Sequence, residues 1–211
     1  MKKSDFAKVL VIGLLIGVLV QPILANVVHT NLTIGLRTAV VLGLGVFALF
    51  ALFVAYLVNR VFAGIYQFAQ FAAVGTLNTL VDIGVFNLEV LASGAVVLGS
   101  VTFALFKAIS FLTATTNSFF WNKYWTFHST DEAKTGQVAS FYAVAVGGLL
   151  LNTAAGTLIN ALRPMGLHET MERVWTSLIA PGGGVIASFL WNFLWYKYVV
   201  FKKPSAAAAS V

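Results

Sequence analysis

Six stretches of this chain, at about residues 7–25, 37–59, 66–91, 95–121, 138–162 and 174–200, stay apolar over the roughly 20 residues that a bilayer-crossing helix needs. In a chain of 211 residues that leaves little for anything else. Only 9% of the residues are charged and 59% are hydrophobic. A soluble domain carries about 25% charged residues. The reading is an all-α membrane protein, a polytopic helical bundle of six transmembrane helices with no sizeable soluble domain.

Charge placement orients the bundle. With both termini inside, Lys2, Lys3, Lys8, Arg60, Lys123, Lys134, Lys197, Lys202 and Lys203 lie on the cytoplasmic side, and Arg37, Arg163 and Arg173 lie outside. This asymmetry satisfies the positive-inside rule and predicts a multi-pass protein of the cytoplasmic (inner) membrane. The net charge of +6 therefore reflects orientation and does not indicate a nucleic-acid partner. The first stretch has two readings. Its basic start, apolar run and Ala25 would suit a cleaved signal peptide, and they also suit a retained helix, which is the reading preferred. Asn31 to Thr33 fits the glycosylation pattern but lies close to the membrane. Gly43 and Gly45 in the second stretch read as ordinary membrane glycines or as sites of close helix packing.

The chain states one motif twice. SFFWNKYWTF, from Ser118 to Phe127, returns as NFLWYKYVVF, from Asn192 to Phe201, at an offset of 74 residues. The same offset carries Leu77–Thr79 onto Leu151–Thr153. The reading is an internal duplication. The last four helices then form two parallel two-helix repeats, with an expected axis along the membrane normal. Each copy ends in an aromatic, lysine-bearing cap. Trp and Tyr sit at headgroup level there, and Lys keeps its charge in water. The expected layout is an N-terminal helix pair over 1–62, a four-helix domain over 63–203 and a low-complexity disordered tail over 204–211. A very short turn at Ser93-Gly94 predicts an antiparallel hairpin, and Arg163 to Arg173 reads as a polar outer loop with a short surface helix.

Polar groups in hydrocarbon are expensive and mark functional sites. Asp82 lies 12 residues before Gly94 and Lys107 lies 13 after it. At a rise of 1.5 Å per residue both sit about 18–20 Å below the hairpin tip, near the bilayer centre. They read as an ion pair, either a structural lock or the charge of a polar pathway. At offset 74 the second repeat replaces Asp82 with Gly156 and Lys107 with Pro181, in the run Pro181 to Gly184. That run either opens the backbone towards a cavity or simply starts the sixth helix. Asn78 and Asn152 are repeat-related by the same offset and read as helix-packing glue or as polar lining. Asn117, Ser118, Asn122 and Asn192 gather with Lys123 and Lys197 at the inner helix ends. They read as a snorkelling belt or as a site for a lipid phosphate and its sugar.

No catalytic signature is present. The sequence has no paired-acid loop, no Ser/His/Asp set and no phosphate-cradling glycine loop on a strand. It has no cysteine, and His29, His128 and His168 lack ligand spacing. No enzyme activity, cofactor or metal is expected.

Residues 66–203 resemble the GtrA-like family of membrane proteins. The resemblance lies in Gln70 to Leu88, in Phe106 to Phe127 and in Ala187 to Phe201. It implies a four-helix membrane domain linked to cell-surface polysaccharide synthesis, and translocation of a polyprenyl-phosphate-linked sugar or support for the glycosyltransferase that uses it. Similar domains occur fused to catalytic domains like that of dolichol-phosphate-mannose synthase. This chain departs from the pattern by adding its first two helices.

The expected function is therefore flipping of a polyprenyl-phosphate-linked sugar. The phosphate would meet Lys123, Lys197 or Arg60 at the inner face. The sugar would pass Asp82, Lys107, Asn78 and Asn152, and Asn117 and Asn192 would border the headgroup. The alternative is a non-transporting scaffold that orients a membrane glycosyltransferase. An exporter of cationic compounds fits less well, because Lys107 lies beside Asp82. Membrane lipids are expected partners, and four helices make a thin wall, which points to a homodimer as one arrangement.

Overall fold

The computed structural model describes residues 3–21, 33–93, 100–129, 132–168, 171, 175 and 179–202. Among them the protein is all-α. The helices are α1 (Lys3–Leu19), α2 (Ile34–Val58), α3 (Ile65–Ser93), α4 (Ser100–Trp121), α5 (Thr135–Ala161) and α6 (Ala180–Trp195). Both α4 and α6 run on into a wider π-helical turn, Asn122–Thr126 and Tyr196–Val200. Ile34–Val58, Ile65–Phe86 and Thr135–Ala161 are long and apolar enough to cross a membrane. The other three expected spans correspond to α1, α4 and α6, with 17, 22 and 16 helical residues. Large apolar side chains point outward along α2, among them Val46, Phe47 and Phe50. An apolar exterior of this kind suits lipid and would be a liability in water. Gly94 of the expected tight turn and the whole 204–211 tail lie outside the described residues, as do 169, 170, 172 and 173 of the expected outer surface helix, while residues 163–168 form a turn and not a helix.

The chain divides into two compact units, Met1–His128 and Ser129–Val211. In the first, α1 packs against α2 through glycines. A Cβ on Gly13 would meet Leu44, Gly45 and Ala48, and one on Gly17 would meet Val41. Gly13 and Gly17 are four residues apart and lie on one helical face, so they let the two backbones approach closely. Gly45 faces Leu10 and Leu14 in return, whereas Gly43 faces open space. Close packing is therefore the role of Gly45 and not of Gly43. The core of this unit joins Val9 and Ile12 of α1 to Leu52, Val74, Leu77 and Trp125. Ile12 is 0% exposed, so α1 is an integral part of the unit.

A buried carboxylate fastens the same unit at its lysine-rich end. Asp5, only 3% exposed, accepts from the Tyr66 hydroxyl at 2.9 Å and from the Trp125 indole N–H at 3.0 Å. One side chain thus ties the start of α1 to the start of α3 and to the end of α4. The turn between α2 and α3 is closed by Asn59, whose Oδ1 accepts from the backbone N–H of Gly64 and Tyr66 at 2.9 and 3.2 Å. Gly64 adopts φ +96°, a left-handed conformation that glycine enters without strain.

Each unit contains an antiparallel helix pair closed by the same set of contacts. In the first, the Gln67 amide donates to the Thr126 carbonyl at 3.0 Å, Phe71 lies 6.3 Å from Phe127, and the Phe127 N–H donates to the Asn122 carbonyl at 2.8 Å. In the second, Gln137 donates to the Val200 carbonyl at 3.0 Å, Phe141 lies 5.9 Å from Phe201, and the Phe201 N–H donates to the Tyr196 carbonyl at 2.8 Å. The later helices match at the expected offset of 74. The earlier helices match at 70, as Gln67 with Gln137, Phe71 with Phe141 and buried Val74 with buried Val144 show. This corrects the register of the repeat. Four residues are close to one helical turn, so the Leu-Asn-Thr match falls on the same face one turn away. Asn78 therefore corresponds to Gly148, and Asn152 corresponds to Asp82.

The second unit also packs through small residues. Gly148 leaves room for the Asn192 carboxamide and Gly147 for the Trp191 ring, whose indole N–H donates to the Val144 carbonyl at 3.2 Å. Pro181 lies in the first turn of α6, where proline's missing N–H costs nothing. Gly183 packs on Ile159, and Gly184 packs on Asn152 and Gly156. The glycine run therefore serves close helix contact at the start of α6. It does not break the middle of a helix.

Candidate functional site

The polar centre of the first unit is a three-residue group on facing helices. Lys107 Nζ donates to Asp82 Oδ2 at 2.5 Å, and Ser110 Oγ donates to Asp82 Oδ1 at 2.7 Å. Lys107 and Ser110 are three residues apart, so one face of α4 presents both to α3. Each carboxylate oxygen thus holds one partner. Exposure is uneven: the Lys107 side chain is 48% exposed, that of Asp82 23%, and Ser110 is buried. The group therefore turns an ammonium outward, with its counter-charge behind it. An ammonium has three donors. One is used on Asp82, so the head can also meet an anion. The sequence pointed to the Asp82–Lys107 pair. It missed Ser110, for which the i to i+3 spacing from Lys107 was the available signal.

The second unit carries a neutral version of this group. Asn152 stands at the position of Asp82, and its amide donates to Ser188 Oγ at 3.5 Å. Gly184 stands where Ser110 does and packs on Asn152. Asn78 is partly buried in the first unit, and its Oδ1 has no hydrogen-bond partner among the described residues.

The inner helix ends differ from the expected belt. Lys123 is 0% exposed, with Nζ 5.7 Å from the centre of the Tyr124 ring. Its side chain is covered by protein and does not snorkel outward. Asn122 beside it is also buried, and its amide donates to the Ser118 carbonyl at 2.9 Å. Lys197, by contrast, is partly exposed, and its Nζ lies over the rings of Phe193 and Tyr198 at 5.5 and 5.4 Å. The Asn192 carboxamide is turned into the helix contact at Gly148. Arg60 is exposed in the turn after α2, its guanidinium 5.8 Å from the Tyr56 ring. The first unit thus holds Arg60, Asn78, Asp82, Lys107, Asn117 and Lys123. The second holds Asn152, Asn192 and Lys197.

These features define a polytopic α-helical membrane protein with an ion pair set inside its helices. Residues 70–206 match the GtrA/DPMS transmembrane domain, well over half of the chain, and the protein belongs to that family. The family places it among membrane proteins of glycan and polyprenyl-linked sugar processes. An uncharacterized membrane protein of Bacillus subtilis (strain 168), YngA, is 27% identical over 126 residues, which cover 60% of this chain and 76% of the relative. No solved structure matches the chain.

Proposed function

We propose that the protein translocates a polyprenyl-phosphate-linked sugar across the cytoplasmic membrane for cell-surface glycan synthesis. The observation that carries this reading is the Asp82–Lys107–Ser110 group, a half-exposed ammonium backed by a carboxylate within long apolar helices. A charge within membrane helices is costly and marks a functional site, and the first unit leaves about half of the Lys107 side chain uncovered. Lys107 instead offers donors to a passing phosphate or sugar hydroxyl. Within the first unit Asn78 adds a polar group with no hydrogen-bond partner among the described residues, and the second unit carries its own neutral group at Asn152 and Ser188. Arg60 and Lys197, which reach the surface, serve as first contacts for the phosphate. Lys123 and Asn117 belong to the end of α4 in the first unit, and Asn192 to the end of α6 beside Lys197 in the second. The chain has no energy-coupling motif, so transfer runs downhill as the lipid is consumed on the far side, or is coupled to an ion through Asp82. Both termini lie in the cytoplasm on this reading.

The test is reconstitution of the purified protein into liposomes with labelled polyprenyl-phosphate sugars, followed by modification with a reagent that cannot cross the bilayer. Modification of the inner-leaflet pool is the expected result. If that pool stays protected while a glycosyltransferase co-purifies from native membranes, the protein is a scaffold.

A further inference from the structure

We propose that the first unit holds a binding site for a phosphate-bearing lipid headgroup, built jointly by α1 and the end of α4. A cavity of about 240 Å³ is lined by Lys8, Asn117, Phe120, Trp121, Tyr124 and Trp125. Its composition is that of an amphiphile site: one cation, one carboxamide and four aromatic rings. Lys8 is partly buried and has no hydrogen bond or ion pair to another described residue. Asn117 Nδ2 is buried and also lacks a partner among the described residues. Both groups are donors, so the missing partner is an acceptor, and beside an ammonium it is an anion. The rings form a wall rather than a loose surface. Phe120 stacks on Tyr124 with centres 6.3 Å apart and planes 12° apart, and Trp121 meets Trp125 edge-on at 5.8 Å. Aromatic rings of this kind belong at headgroup level, where one side meets chains and the other meets phosphate.

The two sides of the site are tied together. Trp125 also donates to Asp5, three residues before Lys8, so the bond that fastens α1 sets the distance between the lysine and the aromatic wall. The cation comes from residue 8, outside the 70–206 stretch that matches the family. The added N-terminal helix thus contributes ligand chemistry of its own. The shared chemistry is a lipid phosphate, whether it belongs to a polyprenyl phosphate or to an ordinary anionic phospholipid. The proposal does not depend on translocation, because binding is measured without it.

Native mass spectrometry of the full-length protein, incubated separately with undecaprenyl phosphate, phosphatidylglycerol and diacylglycerol, tests this. Retention of either phosphate lipid but not of diacylglycerol is expected. Lys8→Ala should weaken retention about tenfold or more, the scale of a hydrogen bond to a charged group, while Lys8→Arg restores it. Asn117→Ala serves as a second probe if Lys8→Ala does not fold. Preference for undecaprenyl phosphate identifies a carrier lipid as the occupant, and preference for phosphatidylglycerol identifies a bulk lipid. Equal retention of diacylglycerol, or Lys8→Ala and Asn117→Ala variants that bind as wild type does, overturns the proposal.

Discussion

Two carboxylates define what single residues do in this protein, and their surroundings separate their roles. Asp5 is sealed among Tyr66 and Trp125, and it acts as a fastener. Asp5→Ala leaves the buried Trp125 indole N–H and the half-buried Tyr66 hydroxyl without their acceptor and should cost about 1–3 kcal/mol, read as a lower unfolding temperature in detergent. Asp5→Asn keeps an acceptor for Trp125 and should cost less. Asp82 shares a group with a half-exposed lysine, and polar contacts between membrane helices are worth only about 0.6–2 kcal/mol. Asp82→Asn should therefore lower stability by about 1 kcal/mol or less. A charge-swapped Asp82→Lys, Lys107→Asp double variant should fold but should not transport, because the ammonium has moved from the exposed to the more sheltered position. The sequence exposed this pair through the cost of charge in hydrocarbon. It could not expose the burial of Lys123, because a lysine at an aromatic helix end has the same local pattern whether it faces water or the protein interior.

At the scale of elements, the helices are held by backbone approach as much as by large side chains. Gly13→Leu or Gly17→Leu would push α1 off α2 and should cost about 1–3 kcal/mol, the usual scale of overpacking. Gly43→Leu enters open space and should stay within about 0.5 kcal/mol of wild type. Thermal unfolding of the three variants in one detergent compares them directly. Hydropathy made the apolar runs legible, and the aromatic-lysine motif made the repeat correspondence of α4 and α6 legible. The register of α3 against α5 was not read, although Gln67, Phe71 and Val74 do match Gln137, Phe141 and Val144. A slip of one turn keeps every residue on the same face, so periodicity cannot choose between offsets of 70 and 74. The contacts at Phe127 and Phe201 do choose. The spacing from Phe141 to Phe201 is 60 residues against 56 from Phe71 to Phe127, which accounts for the difference of four.

For the whole molecule, the family match covers α3 to α6, yet the first compact unit also needs α1 and α2. Val9 and Ile12 lie in its core and Asp5 closes its end. Intact-mass measurement of protein purified from membranes should therefore show that α1 is retained. A mass reduced by residues 1–25 would mean that the unit forms without its central contacts. Orientation and assembly belong to this scale too. Both termini should be labelled from the cytoplasmic side only, and a homodimer would thicken the wall around a sugar path.

If the protein translocates a sugar lipid as proposed, Lys107 stands on its path. The measurement that tests it most directly is the rate at which labelled polyprenyl-phosphate sugar becomes accessible from the opposite leaflet of proteoliposomes, for wild type, Lys107→Arg and Lys107→Ala at equal protein content and equal unfolding temperature. Wild type should transfer the lipid, Lys107→Arg should transfer it in part, and Lys107→Ala should lose at least about tenfold, the worth of one hydrogen bond to a charged group. Transfer by Lys107→Ala at the wild-type rate would contradict it.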